Sequence, residues 1–377
     1  MADISDLNFN TLRTTHEDFV RVGTLKSINT IVSNYVNELP LFKAWDLLNE
    51  KTLADIDGQK ESTKKNTIQS RYSKKYLGKG KGLSVLSLMV NYISVNAKNI
   101  GLNQYEGHHL FDMVYGNYSN ISIAAVTGDN HSINKLNHVT LDLIDVDFVP
   151  NIKNLKKEAE NLYSIGDPDD YDGLLKPINK IDIDLIKSQE KGITRVLMSL
   201  LLQENTQSVI IKKLNSHTRY ARLRKALYEY NNLLRSLHVL NMVEDIELRK
   251  AVKTARNRTE SYHQLQKIIR NMYQGVYRSG KASNNAVCTQ SVCLVSNMIV
   301  AYNATILNRI YENMKNNGAS EKELERFLRI SPMSWVHIGL TGKYTFGSDE
   351  DHNITATILN LEKSLIKFGI TSGVKAA

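Results

Sequence analysis

Three acidic residues in three separate segments have the residue type that metal-dependent phosphodiester chemistry requires. Asp57 lies in ADIDGQK, Asp129 ends the apolar segment ISIAAVTGD, and Glu260 lies in TARNRTESYHQL. Mg²⁺ prefers carboxylate oxygens, and two divalent ions can activate an attacking oxygen while stabilising the leaving oxygen. Asp55 precedes Asp57 by two residues and would share its face of a strand, so it is the main rival for the first position. Three carboxylates from separate elements could hold a Mg²⁺ site in which Mn²⁺ could substitute, but three acids chosen from the 39 in the chain do not by themselves predict one.

Each of these acids also has a purely structural interpretation. Asp57 is followed by glycine, and Asp-Gly is a common turn pair. Asp129 could be the N-cap of the next helix, and Glu260, three residues after Asn257, could be the reach-back glutamate of a capping box. Any one acid alone is therefore ambiguous, and the elements around it must decide.

Composition and charge limit the class of protein. The chain has 377 residues, 42% of them hydrophobic, and a net charge of +9. This length supports a large core and predicts two or three domains, and the basic excess fits a polyanionic partner such as DNA or a merely basic soluble protein. The N-terminus lacks an apolar signal-peptide region and no apolar run reaches about 20 residues, so we expect no membrane span.

The two cysteines do not form a zinc ligand set. Cys288 and Cys293 lie in an apolar, helix-like stretch without neighbouring histidines, and a zinc site needs four ligands. We expect both side chains to pack in the core. The pair Glu106 and Asp112 falls on a predicted helix, EGHHLFDMVYGN, rather than at a strand end, so we do not expect a metal site there.

The elements that must position the acids change character near residue 150. Strands dominate from about 51 to 150: KTLADIDGQ, LSVLSLMVNYISV as one long or two short strands, ISIAAVTGDN and VDFVPN. Helical periodicity dominates beyond the acidic loop at Gly166–Gly173. Within the later helical run we expect one helix to begin at Asp245 and another near Asn257, which places Glu260 at a helix start.

Acids at two strand ends and one helix start predict an α/β fold of a particular kind. It is a ribonuclease-H-like catalytic core interrupted by a helical insertion, with a mostly helical C-terminal part. The expected units are a helical lead-in (1–50), the first part of the core (51–160), the insertion (161–250), the catalytic Glu helix with C-terminal helices (251–346), and a tail (347–377).

An ordered series of motifs resembles the C-terminal catalytic region of the Tn3 family of transposases, from about Val20 to Phe346. The matching blocks are ADIDGQK, RYSKKYLGKGKG, TGDNHSINKLNHVTLDLIDVDFVPNI, NRTESYHQLQKII, QSVCLVSNMIVAYNATILNRI and ISPMSWVHIGLTGKYTF. The resemblance implies that Asp57, Asp129 and Glu260 are the family's three catalytic, metal-binding acids (the DDE motif). It implies an enzyme that cleaves transposon 3′ ends and joins them to target DNA in replicative transposition.

The resemblance also implies partners and alternatives. Family members carry a long N-terminal portion that recognises transposon ends, and this chain begins just before the catalytic block. We therefore expect a homodimer or a separate N-terminal transposase portion as partner, with DNA, in the bacterial cytoplasm and associated with the nucleoid. The alternatives are a catalytically incompetent DNA-binding remnant and a nuclease that hydrolyses without joining.

Basic residues cluster after the first acid and before the third. Interleaved with Tyr72 and Tyr76, they could contact DNA phosphates, although a solvated basic edge would have the same pattern. The expected DNA contacts are Lys60, Arg71, Lys74, Lys75, Lys79, Lys81, Arg256 and Arg258. His131 and His263, close in sequence to the second and third acids, are expected to support the site rather than bind metal.

Overall fold

The computed structural model describes residues 2–48, 51–129, 131–272, 274–339, 342–345, 359–361 and 363–364. Most of the expected tail at 347–377 lies outside these residues, as do Asn130 in the second-acid block and Phe346 at the end of the motif series.

The centre of the fold is a six-stranded mixed sheet in the order β2-β3-β1-β5-β6, with β4 also paired to β3. Strands β1 and β4 are both antiparallel to β3, whereas β5 is parallel to β1 and β6 to β5, so the carboxyl ends of β1, β4, β5 and β6 point the same way. Strands β7 and β8 form a separate two-stranded sheet. The strands are β1 (Leu53–Ser62), β2 (Arg71–Tyr72), β3 (Lys81–Val90), β4 (Ile93–Gly101), β5 (Ala125–Gly128), β6 (Asp147–Phe148), β7 (Tyr163–Ser164) and β8 (Asn179–Lys180).

Fourteen α-helices are present in the described residues, and a 3₁₀ turn at Glu106–His109 leads directly into the fifth. They are α1 (Phe9–Phe19), α2 (Val22–Glu38), α3 (Pro40–Ala44), α4 (Lys74–Leu77), α5 (Leu110–Tyr115), α6 (Asn137–Asp142), α7 (Leu155–Ala159), α8 (Ile183–Ser188), α9 (Glu190–Leu201), α10 (Gln207–Ser216), α11 (Ala221–Glu244), α12 (Ile246–Asn271), α13 (Ala282–Asn316) and α14 (Glu321–Phe327).

The apolar segment LSVLSLMVNYISV forms the two strands of a hairpin, β3 and β4. Asn91 makes the turn with φ of 51°, a left-handed conformation that asparagine tolerates better than most residues. Every residue of β3 after Lys81 is buried, because the sheet is covered on both faces. The hairpin sends the chain back parallel to β1, which later determines where Glu106 lies.

Helices α12 and α13 anchor the core. The Asn297 amide of α13 donates to the Ser94 carbonyl of β4 and to Asn29 of α2, each at 2.7 Å. Tyr262 of α12 is fully buried and donates its hydroxyl hydrogen to Asn297 over 2.7 Å. These buried polar contacts fix α12 relative to α13 and the sheet. The expected insertion, α8 to α11, forms a second core with Phe111 and Val139 from α5 and α6.

Helix α13 is long and apolar enough, by length and composition, to cross a membrane. Most of its apolar window is buried against protein, as in the core helix of a soluble fold. Cys293 is completely buried in this helix and Cys288 is half-buried, and both are free thiols. The expectation that the cysteines pack in the core is confirmed.

The expectation of a helix start near Asn257 is wrong. A single helix, α12, begins after Asp245, whose side chain accepts the Leu248 N–H at 2.9 Å. Neither glycine nor proline interrupts it, and the buried residues continue at three- and four-residue steps through Ala255, Thr259 and Tyr262. Glu260 therefore lies in the middle of a helix, and a capping box with Asn257 is excluded. The helix also runs across the expected unit boundary at residue 250.

Two expectations around the first two acids also need correction. Asp57 does not end a strand, because β1 continues to Ser62 and remains paired with β3 throughout. Gly58 is thus a strand residue and not part of a turn. After Asp129, the expected helix begins only at Asn137, following a non-helical turn segment.

Candidate metal site and nucleic-acid surface

The parallel register of β1 and β5 brings the first two acids together. The last paired positions are Ile56 and Gly128, so the next residues, Asp57 and Asp129, lie side by side. Asp57 comes from the middle of β1 and Asp129 from the residue after β5. Two local hydrogen bonds hold the Asp129 turn: its Oδ1 accepts the His131 N–H at 2.8 Å, and its carbonyl accepts the Ser132 hydroxyl at 2.6 Å.

A third carboxylate joins this pair, and it is one that the sequence pattern led us to set aside. Oxygens of Asp57, Glu106 and Asp129 all lie within 4.8 Å of one another. Glu106 has helical backbone, as expected, but β4 runs parallel to β1 and delivers the chain to the same edge of the sheet. Glu106, where we did not expect a metal site, thus belongs to the group of carboxylates that could hold a metal ion.

Glycine at position 58 leaves the space that Glu106 occupies. A Cβ built at Gly58 would overlap the Glu106 carboxylate. Glycine in the interior of a strand commonly marks the close approach of another group. The Glu106 segment is also tied to the Asp129 turn, because the Gly107 N–H donates to the His131 carbonyl at 3.1 Å.

Lys60 provides a positive charge inside the site. Its ammonium pairs with Glu106 Oε1 and donates to the Ser84 hydroxyl at 3.1 Å, and that hydroxyl donates to Glu106 Oε1 at 3.1 Å. Burial lowers the pKa of Lys60, opposed by the negative charges of Asp57 and Asp129. Lys60, expected as a DNA contact, is instead engaged with a buried carboxylate.

The opposite face of β1 meets α12. His263 Nδ1 lies 3.5 Å from Asp57 Oδ2, and Arg256 Nη1 lies 3.5 Å from Asp55 Oδ1. Asp55 is 2% exposed and is outside the carboxylate group, so its position favours Asp57 over Asp55 as a ligand. His263 thus contacts an acid of the site, in the supporting position expected for it.

Burial dominates the protonation of this face. It raises the pKa of Asp55 to about 8, partly offset by Arg256, and it raises the pKa of Asp57, which Arg256 lowers and Asp129 raises further. It lowers the pKa of His263 to about 3, assisted by Arg270 and Arg256, so this imidazole is neutral at pH 7. A divalent cation would favour the ionised form of Asp57.

Glu260, the third acid of the sequence pattern, lies exposed on α12. It is four residues after Arg256 and three before His263, so it shares their side of the helix. The group of carboxylates within 4.8 Å contains Glu106 and not Glu260. The structure thus brings two of the three expected acids together and leaves the third on the neighbouring helix.

The expected DNA contacts divide into two sets. Five remain exposed on the segment β2-α4-β3, which we call the basic hairpin (71–81): Arg71, Lys74, Lys75, Lys79 and Lys81. Tyr72 and Tyr76 are exposed on the same segment, and Lys75 lies over the Tyr76 ring at 4.8 Å. The Lys60 ammonium is 5.5 Å from that ring, which places the basic hairpin beside the carboxylate group.

The other three expected contacts point into the protein. Lys60 pairs with Glu106, and Arg256 with the buried Asp55. Arg258 is 9% exposed, donates to the Trp45 carbonyl and to Asn91 at 2.8 Å, and lies 4.4 Å from the Tyr92 ring. The expectation of a DNA contact at Arg258 does not fit this position, because its guanidinium holds the β3–β4 turn against α12 and α3.

The residues present fit a divalent metal. Three carboxylates supply the hard oxygen ligands that Mg²⁺ and Mn²⁺ prefer. Glu106 was set aside because it falls on a predicted helix, and the sequence also left open whether LSVLSLMVNYISV is one strand or two. Only a hairpin returns the chain to the edge of the sheet that carries Asp57 and Asp129, so an acid soon after a second strand was the available signal.

Comparison with known proteins identifies the family of the chain. The Tn3 transposase DDE domain matches residues 1–344. The chain is 24% identical to the transposase for transposon Tn1546 of Enterococcus faecium over 86% of this chain and 32% of that protein. It is 24% identical to the transposase for transposon gamma-delta of Escherichia coli (strain K12) over 93% of this chain and 35% of that protein. The chain thus spans about a third of the length of these relatives, and it belongs to the Tn3 transposase DDE domain family.

Proposed function

We propose that this chain is the catalytic portion of a DNA transposase, acting on DNA in the bacterial cytoplasm in association with the nucleoid. Its reaction is Mg²⁺-dependent cleavage at transposon 3′ ends followed by strand transfer in replicative transposition. The observation that carries the proposal is the convergence of Asp57 and Asp129 at one edge of the sheet, with carboxylate oxygens within 4.8 Å, in a chain of this family.

The sheet supports a ribonuclease-H-like core. Three antiparallel strands, β1, β3 and β4, continue into two short parallel strands, β5 and β6, with β1 in the middle. Asp57 lies in β1, and Asp129 is the residue that follows the adjacent β5. Helix α12, after the helical insertion, covers β1 and carries the third acid. This order of elements is the one that a nucleotidyl transferase of this class requires.

The three acids share the binding of metal ions in the proposed reaction. Asp57 and Asp129 would hold the metal ions, and Glu260 would contribute to the second ion's site from α12. When bound, such ions activate the attacking water or 3′-hydroxyl and stabilise the leaving oxygen. His263, neutral beside Asp57, orients that carboxylate without adding a competing positive charge. The buried pair of Arg256 and Asp55 holds α12 in register with β1.

The basic hairpin (71–81) binds the DNA backbone next to the scissile phosphate. Its five exposed cations are not engaged with buried acids, in contrast to Lys60 and Arg256. Lysine and arginine side chains contact phosphates without reading sequence, and exposed tyrosines such as Tyr72 and Tyr76 can stack on unpaired bases. This surface positions a strand for cleavage but does not recognise a particular transposon end.

Replacement of each acid tests the proposal. We expect Asp57→Ala, Asp129→Ala and Glu260→Ala each to abolish Mg²⁺-dependent nicking and joining of DNA that carries transposon ends, because each removes a ligand for the metal ions. The measurement is strand cleavage on gels, with melting curves to show that each variant is folded. Asp170→Ala in an exposed acidic turn is the matched control. Full activity in any one of the three site variants contradicts the assignment of that acid.

A second candidate function is a DNA-binding protein that does not catalyse. The observation that favours it is the position of Glu260, exposed and outside the carboxylate group. A separate N-terminal transposase portion or a second copy of the chain would then be required to complete the site. Nicking assays with the chain alone, and with a supplied N-terminal portion, separate the two. Cleavage by the chain alone rules out the incompetent form, whereas DNA binding without cleavage under both conditions supports it.

A further inference from the structure

Glu106 and Lys60 are not accounted for by the three-acid pattern, although both lie inside the site. We propose that Glu106 is a ligand of the metal ion held by Asp57 and Asp129, and that the Lys60 ammonium neutralises Glu106 until the metal enters. This inference rests on the proposed function, since it deepens the same metal site. It predicts that the first ion binds to the sheet without Glu260.

The distances support a shared ion. The oxygens of Asp57, Glu106 and Asp129 lie within 4.8 Å of one another, and two oxygens on opposite sides of one Mg²⁺ are separated by about 4 Å. Small rotations of the side chains therefore suffice to close the three carboxylates around one ion. Glu106 needs little ordering for this, since it is only 8% exposed and its position is already fixed.

The backbone around Glu106 is adapted to its position, independently of the carboxylates themselves. Gly58 leaves the space for its side chain, and a Cβ there would overlap the carboxylate. Gly107, the residue after Glu106, lies so close to the Ser132 carbonyl that a Cβ at position 107 would overlap it. The Glu106 segment thus packs closely against β1 on one side and against the Asp129 turn on the other. A surface glutamate without a role would need neither approach.

Lys60 supplies the charge that a metal would otherwise supply. A buried carboxylate without a counter-charge is strongly destabilising, and Lys60 with the Ser84 hydroxyl offsets part of that penalty. A divalent ion at the three carboxylates would repel the ammonium and make its pairing with Glu106 unnecessary. Lys60 lies 5.5 Å from the Tyr76 ring of the basic hairpin, so its displaced ammonium would reach the surface that binds phosphates.

The test is calorimetric titration of the full 377-residue chain with Mn²⁺ alone, which reports the metal without requiring DNA or cleavage. We expect Glu106→Gln to weaken the first Mn²⁺ by at least about tenfold and Lys60→Met to tighten it, since the competing cation is lost. Glu260→Gln is expected to leave the first affinity within about threefold, because Glu260 is not a ligand of this ion. The matched control is Glu61→Gln. It removes a half-buried carboxylate of β1, the strand that carries Asp57 and Lys60, and this carboxylate pairs with Arg270.

Folding is monitored by the melting temperature without metal and by its increase on adding Mn²⁺. Glu106→Asp keeps the charge with a shorter reach, so it should weaken Mn²⁺ less than Glu106→Gln even if both variants lose some stability. Normal Mn²⁺ affinity in Glu106→Gln, or loss of the first ion in Glu260→Gln, overturns the proposed role of Glu106 but leaves the proposed function standing. Wild-type protein that binds no Mn²⁺ overturns both this inference and the proposed metal-dependent reaction.

Discussion

The two faces of strand β1 balance charge in different ways. On one face, Asp55, Asp57 and Glu61 meet Arg256, His263 and Arg270 of a single long helix. On the other face, Gly58 and Lys60 meet one glutamate from the segment after β4. The first face is a row of acids matched by helix residues of fixed spacing. On the second face, the space left by Gly58 accommodates Glu106, and the Lys60 ammonium balances its charge.

This difference indicates which parts of the site are fixed and which can exchange. The α12 face is continuous with the core through the fully buried Tyr262, so its contacts maintain the architecture. The Gly58 face holds its acid by the Ser84 hydroxyl and by the Lys60 ammonium, whose charge a metal ion could replace. Asp57 and Asp129 lie where both faces converge, and changes on either face should be distinguishable in metal binding and in stability.

The largest expected effect comes from breaking the Gly58 face. We expect Gly58→Ala to displace the Glu106 carboxylate and lower the rate of DNA cleavage by about 100-fold, because displacement of a catalytic group by about 1 Å can cost that much. Mn²⁺ affinity should fall in parallel. Cleavage rates at saturating Mg²⁺ and calorimetric titration measure the two effects.

The control for this change is Gly23→Ala in α2, where an added Cβ meets no atom within 4 Å. It should leave cleavage and metal binding unchanged. If Gly58→Ala cleaves DNA and binds Mn²⁺ as well as the wild type does, the space under Glu106 has no functional role, and the two faces of β1 do not differ as described.

The next effect concerns the α12 face and its dependence on pH. Folding raises the pKa of Asp55 from 3.8 to about 8, so the folded protein retains a proton between these values that the unfolded chain has released. The stabilisation that Asp55 contributes is therefore fully present below about pH 4 and is lost as pH rises toward 8. Asp55→Asn removes this dependence, and the slope of unfolding free energy against pH should change by up to about 1.4 kcal/mol per pH unit.

Denaturant unfolding between pH 5 and pH 8, without divalent metal, measures this slope. Asp170→Asn, on an exposed turn, is the control and should leave the slope unchanged. Parallel stability curves for Asp55→Asn and the wild type would show that Asp55 is ionised at all these pH values. The contact of Asp55 with Arg256 would then be a charged pair, whereas His263 beside Asp57 stays neutral.

The smallest effect sharpens the comparison at the surface. We expect the triple variant Lys74→Ala, Lys75→Ala and Lys79→Ala to weaken DNA binding by about fivefold and to reduce the salt slope of log affinity by about 2 to 3 units, since each phosphate contact contributes about 0.9. Fluorescence anisotropy at several salt concentrations measures both values. Mn²⁺ affinity should be unchanged, because these exposed side chains lie outside the carboxylate group.

Three exposed lysines elsewhere serve as the control: Lys156, Lys187 and Lys322, each changed to alanine in one variant. The net charge of the two triple variants is equal, so any difference between them reports position. Equal salt slopes in both variants would mean that DNA binding follows total charge and not the basic hairpin (71–81).

Much of this organisation follows from local sequence. The buried strand before Asp129 and the core position of the cysteines were predicted from periodicity and composition alone. The motif series identified the family, and Asp57 and Asp129 are adjacent as a parallel strand pair requires. Local patterns failed at boundaries: Asp-Gly resembles a turn but lies inside β1, and Asn257 resembles a helix cap but lies inside α12. In both cases pairing or packing with distant segments extends the element past the local signal.

The sequence by itself indicated Asp57 and Asp129 as candidate metal ligands and located most of the segments that form strands or helices. Only the tertiary structure decided which charged side chains are free. Lys60, Arg256 and Arg258 look the same in sequence as the lysines of the basic hairpin, yet they neutralise buried acids or hold a buried turn. The choice of Glu106 as the third carboxylate beside Asp57 and Asp129 likewise depends on a strand hairpin and on the missing side chain of Gly58. Contacts between residues dozens of positions apart produce these outcomes, and no local spacing encodes them.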